Sequence, residues 1–217
     1  MEAAGLPPRE ADVAPAPRAD PTGGTTAGLW KPADPGPLGL AGFAGTTFVL
    51  SVCNANLVSL DGGIGAVLAL ALAYGGLAQL LAGMWEFRTG NTFGAVAFSS
   101  FGAFWISYYF LVKVIGIANV SPHGIALYLW MWGIFTIYMF LASLRTTGAV
   151  ALVFLLLSIT FVLLAIGSMG GGHTSITHAG GFVGIATAVA AWYASFAAVI
   201  NSTFGKVVLP VIPLRRV

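Results

Sequence analysis

Phe43, Thr46, Thr47, Leu50, Ser51 and Asn54 follow one another at steps of three and four, which places them on one helix face. Four of these six carry a hydroxyl or a carboxamide. Such groups can exchange hydrogen bonds with a passing solute and replace part of the water it sheds. They can equally bond back to their own helix carbonyls, and an Asn can join two helices. Thr46, Thr47, Ser51 and Asn54 are thus the candidate lining of a polar path, with Phe43 at its end. A second group, Glu86, Asn91 and Thr92, stands where one apolar run ends and the next begins. Glu86 reads either as an ion-pair partner of Arg88 or as part of an entrance, and Asn91 as the cap of the helix that starts at Thr92.

The elements that position these residues follow from composition. Of 217 residues, 58% are hydrophobic and 7% charged, against roughly 25% charged in a soluble domain. From Leu38 onwards the chain divides into six apolar stretches of bilayer length: Leu38 to Leu60, Ile64 to Trp85, Thr92 to Ile115, Gly124 to Leu144, Gly148 to Gly167 and Gly180 to Asn201. Breakers or caps separate them, including Asp61-Gly62-Gly63, Ser121-Pro122-His123 and the Gly170 to His173 linker. The expectation is an all-α polytopic membrane protein with six transmembrane helices around a central pore in each protomer. Residues 38–204 form the membrane domain and 205–217 a short basic cytoplasmic tail.

Residues 1–37 differ in kind. They hold eight of the eleven prolines and eight of the sixteen charged residues, so a disordered, proline-rich cytoplasmic tail is expected. Its opening, MEAAGLPPREADVAPAPR, has no apolar h-region, and no cleavable secretory signal is expected. Six spans bring both termini to one face. Eight of the nine basic residues fall there and only Lys113 on the other, which by the positive-inside rule puts the termini in the cytoplasm.

Small residues at helix-contact spacing, in Gly75, Gln79 and Gly83 and again in Gly180, Gly184 and Ala188, allow close helix approach. Tyr128, Trp130, Trp132, Trp192 and Tyr193 read as interfacial anchors or subunit contacts. The lone Cys53 leaves no internal disulfide and no multi-Cys metal site. HExxH, CxxC, Walker and nucleophile-elbow motifs are absent, so no enzyme and no cofactor are expected. A formal net charge of +2 gives no basis for nucleic-acid binding. No Lys or Arg stands near a span centre to neutralise an anion. The residues themselves thus lead to a six-helix protein with a polar-striped solute path.

Two blocks go further. Asp34-Pro35-Gly36-Pro37-Leu38-Gly39-Leu40 precedes Gly42-Phe43-Ala44 and the polar stripe, and GGLAQLLAGMWEFRTGNTFGAVAFSSFGAFW runs from Gly75 to Trp105. With weaker matches at Trp132-Gly133, Phe161 to Gly167 and His178-Ala179-Gly180, the chain resembles the acetate uptake transporter family, or succinate-acetate permeases, over about Asp34 to Pro210. The resemblance implies a six-helix protomer with its own pore, assembled as a homo-hexamer in the plasma membrane. Its expected substrates are acetate and related short monocarboxylates, and succinate in some members. It also implies a hydrophobic constriction at Phe43, Leu157 and Phe101, where Phe101 occupies a position that is Tyr in the family. Asp34 likewise replaces the Asn that opens the family signature.

A pore without a central cation favours the neutral acid over the anion, so uptake is expected to rise as external pH falls. His173 and His178, read in the outward linker, offer a second route to that trend. Two rival readings keep the same spans: a channel for neutral solutes such as urea or short amides, and a membrane sensor without flux.

Overall fold

The computed structural model describes residues 30, 32–169 and 173–214, and the fold over 32–214 is all helical. Most of the proline-rich tail, the glycines at 170–172 and the basic end at 215–217 lie outside the described residues. Six helical stretches among those described are long and apolar enough to cross a membrane. They are α1 (Gly36–Asn54), the pair α2 (Leu60–Leu72) and α3 (Gln79–Thr89), α4 (Thr92–Tyr109), α5 (Pro122–Ser143), α6 (Gly148–Ser168) and α7 (Thr174–Phe204). Helices satisfy their own backbone donors and acceptors, which a hydrocarbon core cannot do for them.

Helix starts carry side-chain caps. Ser59, Asn91, Ser121 and Thr147 each accept from a backbone N–H three residues on, at 3.3, 3.1, 3.1 and 3.3 Å. Gly90, at φ +80°, ends α3 in a left-handed turn and lets Asn91 begin α4 one residue later.

Two spans are not plain α-helix. A π-helical segment, Ala73–Ala78, joins α2 to α3, and another, Phe110–Gly116, continues α4 before the short 3₁₀ turn Ile117–Asn119. The first is wedged between α1 and α4. A methyl added at Gly42 would lie 2.6 Å from the Tyr74 carbonyl oxygen, and one at Gly75 would lie 2.5 Å from Thr46 Oγ1 and 2.9 Å from Trp105 Cδ1. Glycine lets backbone meet backbone at Gly42 and lets the Thr46 and Trp105 side chains close onto the π segment at Gly75. The extra residue of the π turn re-aims everything after it, beginning with Gln79.

α7 is the longest helix and packs along both α1 and α6. It begins at Thr174, six residues before the predicted span. Gly180 and Gly181 do not break it, because they lie against Leu164 of α6 and the backbone of Asn54 and Ala55. Ser195 Oγ donates to the Pro37 carbonyl at 2.7 Å and ties the start of α1 to the same helix.

After α7, residues 207–214 turn back across the bundle. Val208 and Leu209 N–H donate to Asn201 Oδ1, Tyr193 OH donates to the Pro210 carbonyl, and Gly148 and Ala149 N–H donate to the carbonyls of Ile212 and Val211. This strap therefore caps the start of α6. Two of the predicted anchors serve other ends: Tyr193 pins the strap, and Trp132 is buried in the aromatic core.

Candidate permeation path

The strap, the segment before α1, the α3–α4 turn and the ends of α6 and α7 enclose a cavity of about 310 Å³ at the face where α1 begins and α7 ends. Its mouth is polar, with Asp34, Glu86, Asn91, Thr146, Thr147 and Asn201, and Val211 of the strap forms part of its wall. Glu86 is only 2% exposed, and Thr89 Oγ1 donates to its Oε2 at 3.0 Å. Arg88 is exposed, so the pairing of Glu86 with Arg88 allowed by the sequence does not form. Asn91 Oδ1 caps α4 while Asn91 also lines the cavity. Thr92 is the first residue of α4, beside but not in the cavity wall.

Deeper in, Leu40, Ala97, Phe98 and Phe154 belong both to this vestibule and to a second cavity of only about 20 Å³. That volume holds about one water molecule. Phe43, Phe101, Leu157 and Gln79 line it. The three residues named for the constriction, drawn from α1, α4 and α6, thus meet at one point, exposed by 4%, 3% and 4%. The Phe43 and Phe101 rings have centroids 5.7 Å apart, tilted by 54°. Phe101 is also ringed by Trp132, Phe135, Phe154 and Phe161, at centroid distances of 5.2 to 6.5 Å. A solute much larger than one water molecule would fit here only if at least one of these rings turned.

Gln79 is the polar group the sequence reading missed. It is 1% exposed and its Oε1 has no hydrogen-bond partner, although it lines the constriction. An unpartnered buried amide costs free energy unless something polar visits it. The signal in the sequence is a carboxamide amid small and apolar residues, at a spacing that also suits a helix contact.

The polar stripe of α1 divides once its neighbours are present. Thr46 Oγ1 donates to the Gly42 carbonyl at 2.9 Å and lies 3.4 Å from that of Leu70, with no exposure. Ser51 packs against Gly184 of α7, and Asn54 against Gly181. Thr47 is buried with an unpartnered hydroxyl. None of these four lines either the vestibule or the constriction. His173 precedes α7 and His178 lies within its first turns rather than in a linker, at the end remote from the vestibule, and neither lines the two cavities.

Comparison with known proteins places this arrangement. Residues 23–216 match the model of the GPR1/FUN34/yaaH family. The chain is 38% identical over 187 residues to the succinate-acetate/proton symporter SatP of Escherichia coli, covering 85% of this chain and 97% of that one. It is 41% identical over 198 residues to acetate permease A of Emericella nidulans, covering 83% and 66%. Among solved structures, the bacterial acetate channel SatP superposes with a TM-score of 0.78 at 38% identity, over 83% of this chain and 99% of that one.

Proposed function

Because the chain belongs to the GPR1/FUN34/yaaH family, we propose that it is a membrane channel or transporter passing acetate and related short monocarboxylates, succinate included. The observation that carries this reading is the polar vestibule narrowing onto Phe43, Phe101, Leu157 and Gln79. Relatives named for acetate and succinate supply the substrate class. In this reading the three apolar side chains are the gate, Gln79 offers a hydrogen bond beside it, and Glu86 and Asn91 form the inner entrance, with Thr92 starting α4 next to them. The bias of basic residues supports a plasma-membrane protein with cytoplasmic termini. Leu127, Ile134 and Leu141 expose an apolar stripe along α5 that lipid or neighbouring copies would cover in a homo-hexamer.

An apolar gate strongly disfavours a bare carboxylate, whereas the neutral acid loses only a few hydrogen bonds there. The species crossing the gate is therefore the protonated acid, and low external pH favours uptake. Radiolabelled acetate and urea uptake into proteoliposomes containing the full chain tests the reading. Acetate uptake several-fold above empty liposomes, with urea at background, is expected. Urea uptake alone would make it a neutral-solute channel, and flux of neither would favour a sensor.

A further inference from the structure

The vestibule that would receive a carboxylate is itself acidic. Asp34 and Glu86 approach the same α-carbon: a methyl built on Gly36 would lie 3.0 Å from Asp34 Oδ1 and 3.5 Å from Glu86 Oε1. Among the described residues that line the cavity there is no Lys, Arg or His, and Asp34 is the other titratable group facing Glu86. The side chains that α4, α6 and α7 turn towards it, Asn91, Thr146, Thr147 and Asn201, are neutral. The start of α6 offers no compensation either, because its Gly148 and Ala149 N–H groups are held by strap carbonyls and Val150 N–H by Thr147 Oγ1. A carboxylate entering this space meets like charge, in partial isolation from water. It finds no cationic side chain on the cavity wall but only the partial positive charge of the α1 and α4 starts, against the second of which Glu86 already lies. Two turns deeper on the same helix, the unpartnered Gln79 oxygen is aimed into the constriction that shares walls with the vestibule.

We infer that Glu86 is the proton-binding group of the path, taking the proton of the incoming acid as it leaves the constriction. This rests on the transport reading above. The neutral acid RCOOH passes the gate and transfers its proton to the Glu86 carboxylate, giving RCOO⁻ and neutral Glu86. The O–H bond of the acid breaks as one forms on Glu86, and no other bond changes. Neutral Glu86 can sit beside the new anion, and proton and anion then pass separately to bulk water. In the opposite direction the same steps load the anion with a proton before it meets the gate. Thr89, which donates to Glu86 Oε2, is a positioning residue for this transfer.

Acetate titration of the purified full chain between pH 5 and 8 tests the assignment. In the wild type, apparent acetate affinity in the vestibule falls by up to about tenfold per pH unit, because one proton binds with each anion. Glu86→Gln, permanently neutral, abolishes that slope and leaves affinity constant within about twofold, while Glu86→Asp and Asp34→Asn retain the slope. A wild-type slope in Glu86→Gln, or its loss in Asp34→Asn, overturns the assignment. Infrared difference spectra of the wild type with ¹³C-acetate give a readout independent of any variant. A protein carboxylic-acid C=O band is expected on acetate binding, and its absence overturns the inference. Radiolabelled acetate flux through the wild type, measured in parallel, reports separately on the transport reading.

Discussion

Asn201 and Leu209 bond each other twice: the Asn201 Nδ2 amide donates to the Leu209 carbonyl, and Leu209 N–H donates to Asn201 Oδ1, both at 2.9 Å. One side chain on the last turns of α7 thus fixes the strap, whose Val211 walls the vestibule and whose Val211 and Ile212 carbonyls cap α6. Ile212 adopts φ +54°, an unfavourable conformation for a β-branched residue, held there by its carbonyl's bond to Gly148 N–H at 2.7 Å.

The strap therefore depends on Asn201. Asn201→Ala removes three hydrogen bonds and should cost about 1–3 kcal/mol, seen as a lower Tm in detergent. Proteolysis near Val208 should accelerate in the variant. An unchanged cleavage rate would mean that the α6 contacts and the Tyr193–Pro210 bond suffice to hold the strap.

Phe43→Ala removes one of the two rings that meet at the constriction. The void should admit carboxylic acids larger than acetate and raise acetate flux, at a stability cost of about 3–5 kcal/mol if the site does not collapse. Competition of propionate, butyrate and benzoate with radiolabelled acetate measures this. Retained wild-type size selectivity in a folded variant would remove Phe43 from the gate.

Phe101→Tyr adds a hydroxyl in a crowded apolar ring cluster that shares its cavity with Gln79. The unpartnered Gln79 oxygen is an acceptor within the same small space, so folding should persist while acetate rate or selectivity changes. Flux assays beside a thermal melt decide it.

Gly42→Ala probes the wedge between α1 and the π segment. Its methyl would meet a backbone oxygen, which cannot swing aside as a side chain can. A loss of about 1–3 kcal/mol, with lower yield of folded protein, is expected. A Tm equal to wild type would show that the π segment shifts freely.

For uptake at fixed total acetate, the neutral fraction rises about tenfold per unit of falling pH above the acid's own titration point. Uptake into wild-type proteoliposomes should follow that trend from pH 8 to 5. Because His173 and His178 line neither cavity, His173→Ala with His178→Ala should preserve it. A flat profile in the double variant would return the pH response to these histidines.

Six spans, their order and the Asn91 cap at the α3–α4 turn were legible along the chain, because hydropathy and capping act over a few neighbouring residues. The family resemblance named Phe43, Phe101 and Leu157 together, and the fold brings the three beside one small cavity. Which way a helix face looks is a different kind of fact. Thr46 and Thr47 are adjacent and alike in sequence, yet one hydroxyl is bonded beside Gly75 and the other is left unpartnered. Thr46 bonds back to Gly42 of its own helix and reaches Leu70 of α2, whereas Thr47 finds no acceptor in its surroundings. Gln79 does stand at a close helix contact, beside Gly42, but that its oxygen also faces the small cavity has no local signature, because the π turn sets its direction. Composition marks residues 205–217 only as a short basic tail, yet the strap within it is joined to the start of α6 by bonds to residues more than sixty positions away. Local composition could determine that the chain crosses a membrane and where. Only tertiary packing could decide which polar groups are already partnered and which remain for a solute, since a hydrogen bond depends on where its partner lies in space.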